Sequence, residues 1–230
     1  MEKTSKKIYV VIPAYNEETG IASVISHLKD FGYENILVVN DGSNDHTEEK
    51  AREAGAEVLN QIINRGQGAA LRTGIEYLRE VYAPDIIVTF DADGQHQAKD
   101  IAAIIKPLIE EKFDIVLGSR FLNKKSNAPL LRKIVLKAGI IFTNLISNIK
   151  LTDTHNGFRA LGEKAIQKIN ISHRGMEHAS DIIDEITKNK LRYKEVPVEI
   201  IYTDYSRAKG QRTSGFAKMG IKILIKKLIQ

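Results

Sequence analysis

Asp91 and Asp93 stand one residue apart, directly behind the apolar run Ile86-Ile87-Val88-Thr89-Phe90. The segment Asp91-Ala92-Asp93-Gly94-Gln95-His96 supplies carboxylates, an amide and an imidazole in one short stretch. β-Branched and aromatic residues suit a strand covered on both faces. Asp and Gly do not, so the strand is expected to stop at Asp91. Paired carboxylates at the end of a buried strand repel each other and require a positive partner. A hard divalent cation with oxygen ligands meets that need. A strand-to-loop turn uses the same residue types, so the pair alone leaves both readings open.

Other polar loops follow apolar runs in the same way. Pro13-Ala14-Tyr15-Asn16-Glu17 follows Ile8–Ile12, and Asn40-Asp41-Gly42-Ser43 follows Ile36–Val39. A flat base can lie against Tyr15, and Asp41 can accept from a ring N–H or a ribose hydroxyl. A turn with an N-cap is the plainer use of Asn40–Ser43. Asn64-Arg65-Gly66-Gln67-Gly68 is a glycine loop without the Gly-Lys-Ser/Thr of a phosphate-binding Walker loop. The dinucleotide fingerprint should follow the first strand, which ends in Pro13 instead. These absences argue against a kinase and a dehydrogenase. Gly118-Ser119-Arg120 closes a further run, Asp114–Leu117.

Helical patterns separate these runs: Ile21, Val24, Ile25 and Leu28; 47–54; 69–81; and Ile101, Ile104, Ile105 and Leu108. Strands alternating with such helices predict an α/β fold built of right-handed βαβ units around a mostly parallel sheet. Ligands of such sheets bind beyond the carboxyl ends of the strands, where every loop named above lies. Farther on, helices are expected over 132–150, from Glu163, over 176–189 and over 214–230, with a strand over 193–202. The 132–150 and 214–230 helices are amphipathic and basic. They are expected either to lie on a membrane surface or to pack on the domain or a second subunit. Residues 1–165 form the expected catalytic core, and 166–230 the acceptor-side and C-terminal part of the same domain.

The chain of 230 residues carries 43% hydrophobic and 27% charged residues, enough for a sizeable core. It has no cysteine, which excludes disulfides, thiolate metal sites and a cysteine nucleophile. Its N-terminus lacks the apolar core of a signal peptide, and no run reaches the roughly 18 apolar residues of a membrane span. The net charge of +5 is modest and does not by itself choose a partner.

In order, Pro13–Glu17, Val38–Ser43, Asn64–Gly74, Asp91–His96 and Gly118–Arg120 resemble the family 2 nucleotide-sugar glycosyltransferases of GT-A (Rossmann-like) fold. Within that family they are most similar to the dolichyl/polyprenyl-phosphate hexosyltransferases of the dolichyl-phosphate mannose synthase type. Asp153-Thr154-His155-Asn156-Gly157-Phe158-Arg159 resembles that group's Asp-x-x-x-Gly-Phe-Arg segment. The resemblance implies an inverting, metal-dependent transfer of mannose or glucose from a GDP- or UDP-sugar to polyprenyl phosphate. Pro13, Ala14, Tyr15, Glu17 and Asp41 would hold the nucleoside, and Gly66, Gly68 and Arg72 would shape the donor pocket. Asp91, Asp93 and Gln95 would bind Mg2+ or Mn2+, with Ala92 lining the site and Asp93 counted as catalytic. Ser119, Arg120 and Arg132 match the acceptor-phosphate positions, Arg120 and Arg132 as catalytic cations, and Arg207 and Lys209 would close over the phosphate.

A lipid phosphate is already an anion and needs cations rather than a base. A saccharide or protein hydroxyl as acceptor would require a carboxylate base, for which Glu177, Asp181 and Asp184 are the candidates. His96 and His155 read as ordinary polar loop residues. The expected partners are therefore a nucleotide sugar, a polyprenyl phosphate and a membrane surface, and not nucleic acid. The expected location is peripheral, at the cytoplasmic face of the membrane.

Overall fold

The computed structural model describes residues 6–122, 140–141, 143–145 and 147–201. Arg132, Arg207, Lys209 and the expected 214–230 helix lie outside them, as does most of the 132–150 helix. Among the described residues no helix is long and apolar enough to cross a membrane.

Seven strands form one sheet in the order β3-β2-β1-β4-β6-β5-β7. They are β1 (Ile8–Ala14), β2 (Ile36–Asn40), β3 (Glu57–Asn60), β4 (Ile86–Thr89), β5 (Ile115–Ser119), β6 (Arg159–Gly162) and β7 (Tyr193–Pro197). The helices are α1 (Ile21–Asp30), α2 (Thr47–Glu53), α3 (Gln67–Val81), α4 (Ile101–Glu110), α5 (Glu163–Lys168) and α6 (His178–Lys188). Alternate residues of β1 face opposite layers. Val10 and Ile12 pack with Ile21, Ile25 and Leu28 of α1 and Ile101 and Ile104 of α4. Tyr9 and Val11 pack with Leu71, Ile75 and Leu78 of α3 and Ile182 and Ile183 of α6. This is the expected α/β arrangement, a mostly parallel sheet between helical layers.

Pro13 lies inside β1 rather than ending it, in a strand flanked on both sides. The ladder explains this. Val11 is the last β1 residue paired with β4, and its carbonyl accepts from Phe90 N at 3.0 Å. In a parallel strand Pro13 would point its amide the same way as Val11, toward a neighbour that has already ended. On the β2 side Pro13 still pairs with Val39, and Ala14 O accepts from Asp41 N at 2.8 Å.

β6 is antiparallel to both of its neighbours and separates β4 from β5. No strand is expected from the sequence between Arg159 and the helix that starts at Glu163. A four-residue strand, fully buried and beginning on Arg159, carries no alternation to announce it. The strand expected over 193–202 stops at Pro197. The chain then crosses to the Asp91 loop, where Ile200 bridges His96 and Ile201 N donates to Gln95 O at 3.0 Å.

Candidate active site

Asp91 leaves the end of β4 between β1 and β6. Thr89 pairs with Arg159 in the antiparallel register, so Asp91 stands beside Gly157. A Cβ at Gly157 would lie 2.9 Å from Asp91 Oδ2 and 3.0 Å from Oδ1. The carboxylate thus folds over a residue that must have no side chain. Its Oδ1 accepts from Gln67 Nε2 at 3.0 Å. Asp91 keeps 28% of its side-chain surface open, which leaves it reachable from the cleft. Asp93 follows in the same turn. Its Oδ1 accepts from Gln95 N at 3.0 Å and its Oδ2 from Gln95 Nε2 at 2.6 Å. Gln95 therefore lies against Asp93, with its amide nitrogen spent on the carboxylate. Gly157→Ala is expected to displace Asp91 and weaken Mn2+ binding about tenfold or more, measurable by titrating Mn2+ in the presence of a nucleoside diphosphate.

The acidic pair carries its own electrostatic cost. Burial pushes the Asp91 carboxyl up to about 6 against the opposing charges of Arg159 and Arg120. Burial, then the charge of Asp91, pushes Asp93 up to about 6. Two oxygen-rich groups that resist ionisation without a cation are a fitting donor set for Mg2+ or Mn2+. Among the described residues no three His, Cys, Asp or Glu side chains converge on one metal position. The pH dependence has a definite sign. Between the ordinary carboxyl value of 3.8 and about 6 the native state binds more protons than the unfolded chain. Stability from Asp93 therefore grows as pH falls through 6 and is fully present below about 4. Asp93→Asn is expected to be more stable than the wild type at pH 7. That gap should narrow as denaturant titrations are moved to pH 5.

The donor-side loops are held from within. Asp41, buried, accepts from Arg65 N at 2.8 Å and Gly66 N at 2.7 Å, so it fastens the glycine loop. Gly66 takes φ +96°, and its Cβ would meet Arg174 O at 2.5 Å. Gly68 lies equally close to the backbone at His173 and Gly175. These glycines let the start of α3 pack beneath the 172–178 loop. Asn16 N donates to Ser43 Oγ at 2.9 Å and Glu17 N to Thr47 Oγ1 at 2.7 Å, which joins the first two loops. Pro13 and Ala14 are strand residues, Ala92 and Glu17 are buried, and Tyr15 is 41% exposed. Arg72 reaches back to Ile171 O at 3.4 Å.

Across the cleft, Arg120 grips Asp153. Nε donates to Oδ2 at 2.7 Å and an Nη to Oδ1 at 2.8 Å, while the Arg120 amide also donates to Oδ2 at 3.1 Å. Asp153 is buried, and despite desolvation the Arg120 charge and hydrogen bonds hold its carboxyl below the usual range. Ser119 is fully buried and shares a 2.7 Å hydrogen bond with Thr152 Oγ1, so it supports the wall rather than lining it. Asp181 accepts from Ser172 N at 2.8 Å, His173 N at 2.6 Å and His173 Nδ1 at 2.6 Å. Those bonds outweigh burial and lower its pKa, which suits a loop clamp and not a base. Asp184 accepts from Ser147 Oγ at 2.7 Å. Glu177 stands at the N-terminus of α6, with Oε2 2.6 Å from where a Cβ of Gly175 would be.

Gln67, Asp153 and Arg159 escape the sequence reading, because each acts through a partner far away in the chain. Arg159 is 2% exposed, with one Nη lacking a hydrogen-bond partner among the described residues, and the charges of Asp91 and Asp153 support it against desolvation. The Asp-x-x-x-Gly-Phe-Arg segment was the available signal for Asp153 and Arg159. His96 is not an ordinary loop residue. It is 4% exposed and its Nδ1 accepts from Asp91 N at 3.1 Å.

Residues 9–169 match the Glycosyl transferase family 2 profile. The chain is 36% identical to the UDP-N-acetylglucosamine--dolichyl-phosphate N-acetylglucosaminyltransferase of Methanococcus voltae, over 97% of each protein. It is 31% identical to the dolichol-phosphate mannosyltransferase of Pyrococcus furiosus, over 89% of this chain and 58% of that protein. The crystal structure of Mycobacterium tuberculosis glucosyl-3-phosphoglycerate synthase with Mn2+, UDP and phosphoglyceric acid superposes with a TM-score of 0.76. Identity there is 17%, over 96% of this chain and 77% of that one, a likeness of fold. The seven-stranded sheet is accordingly a GT-A fold, and the chain belongs to glycosyltransferase family 2.

Proposed function

We propose that this glycosyltransferase moves a sugar from a nucleoside-diphosphate donor to a polyprenyl phosphate at a membrane surface, with inversion. The observation that carries the reading is the Asp91–Asp93 pair. It stands at the carboxyl end of β4, where Gln67 at the start of α3 donates to Asp91 and the charges of Arg159, Arg120 and Glu17 act on it. Asp91, Asp93 and Gln95 would hold Mg2+ or Mn2+, which when bound neutralises charge on the departing nucleoside diphosphate. Donor phosphate oxygens would complete the cation's shell. Tyr15 supplies an open ring for the base. Asp41 keeps the glycine loop closed around the donor side.

Two of the three candidate bases for a hydroxyl acceptor are engaged elsewhere, leaving Glu177, and this supports an anion as the acceptor. Asp181 is engaged with Ser172 and His173, and Asp184 with Ser147. A phosphate nucleophile needs no base. It needs a cation, and the Arg120 guanidinium, fixed by Asp153 through Nε and one Nη, is the proposed one. Arg132, Arg207 and Lys209, which lie outside the described residues, are proposed as further acceptor-phosphate cations. Relatives named for dolichyl- and undecaprenyl-phosphate transfer support the acceptor class. Their sugars differ, so N-acetylglucosamine joins mannose and glucose as a candidate. A thermal-shift panel of UDP-N-acetylglucosamine, UDP-glucose and GDP-mannose, each with and without Mn2+, tests the donor half. The expected result is a metal-dependent rise in Tm with one of them, since a ligand at 100 times its Kd adds about 2.7 kcal/mol of stability. No shift with any would contradict it.

A further inference from the structure

We propose that His96 is a positioning residue that sets the Asp91 carboxylate for its cation, an inference that rests on reading Asp91 and Asp93 as the cation site. The ring touches Asp91 at two points. Nδ1 accepts the Asp91 backbone N–H at 3.1 Å, so in the neutral ring the proton sits on Nε2. That Nε2 stands 3.4 Å from Asp91 Oδ2. The turn therefore closes on itself, with the side chain of its last residue against the amide and carboxylate of its first. Gln67 holds the other oxygen, Oδ1, from the opposite side at 3.0 Å. Gln67 thus holds one carboxylate oxygen, while His96 holds the backbone amide from which the side chain projects.

The ring itself has no room to swing. It stacks on Phe158 with centroids 4.9 Å apart and planes 19° apart, and it meets Phe90 edge to face at 5.3 Å. The His96 backbone pairs with Ile200, which fixes the residue from outside the turn. Packing alone accounts for the two aromatic contacts. It does not account for Nδ1 accepting the Asp91 amide, nor for Nε2 standing 3.4 Å from Oδ2 while the ring also bonds the Asn156 side chain. Groups that orient a metal-binding carboxylate change cation affinity as well as rate.

The two roles separate with His96→Phe, which preserves a flat ring between Phe90 and Phe158 and removes both nitrogens. Free Mn2+ is measured by electron paramagnetic resonance during titration, in saturating UDP and, in a parallel series, saturating GDP. The expected result is a folded H96F whose Mn2+ affinity falls about 10- to 100-fold. H96N, which returns an amide near the Nδ1 position, should recover part of the loss. A folded H96F that binds Mn2+ as tightly as the wild type overturns the inference alone. A wild type that binds no Mn2+ with either nucleotide overturns the cation reading and this inference together. Should H96F fail to fold, H96A against H96N decides. Tighter Mn2+ binding by H96N supports the positioning role, and equal affinities overturn it.

Discussion

Asp93→Asn is expected to reduce kcat/KM for sugar transfer by about 10^3-fold or more while leaving the protein as stable as the wild type or more so. The two halves of that result have one cause. Burial and the neighbouring charge of Asp91 already oppose ionisation of Asp93, so an amide of the same shape relieves a cost at neutral pH. The same amide removes one of the two carboxylates that would hold the cation. A bound divalent ion supplies several kcal/mol of charge stabilisation to a departing diphosphate, and each 1.36 kcal/mol is a factor of ten in rate. Activity and unfolding midpoint measured on the same preparation check the pair. Loss of activity together with a large loss of stability would mean that Asp93 is a structural turn residue.

Arg120→Met is expected to fail differently. Its guanidinium is bidentate on Asp153, with side-chain exposures of 11% and 1%. Removing one partner of such a buried pair leaves an uncompensated charge and costs about 3–5 kcal/mol. For a chain of this size that is a fall in Tm of roughly 10 °C. Arg120→Lys cannot replace the fork, because an ammonium does not present parallel donors to a carboxylate. The double variant R120M/D153L removes both charges of the pair and should recover part of the lost stability, since it also takes the Asp153 charge away from Arg159. Transfer to polyprenyl phosphate should remain absent in it, while slow hydrolysis of the donor persists. Recovery of transfer along with stability would assign Arg120 to the fold alone.

The strand ends were legible because local chemistry writes them. A β-branched run that breaks into Asp, Gly or Pro announces both a parallel strand and the loop beyond it, and this placed Asp41, Asp91 and Arg120 on one edge of the sheet. What stayed hidden depends on register between distant strands. β6 is too short to show a period, yet it sets Gly157 beside Asp91 and buries Arg159 near it. Asp153 reads as a loop residue until the end of β5 brings Arg120 to it. Asp181 reads as a candidate base, because nothing local tells that the preceding loop folds back to donate to it. His96 was passed over for the same reason, since its aromatic neighbours come from β4 and from the segment before β6.

The central claim is that the nucleophile is a phosphate on a polyprenyl chain. Its most direct test uses radiolabelled nucleotide sugars with Mn2+, supplied with polyprenyl phosphate or with the corresponding polyprenol. The account predicts label in the organic phase with the phosphate only, abolished by chelation of the metal. Equal labelling of the polyprenol, or transfer to a saccharide hydroxyl while the lipid phosphate stays unlabelled, would contradict it.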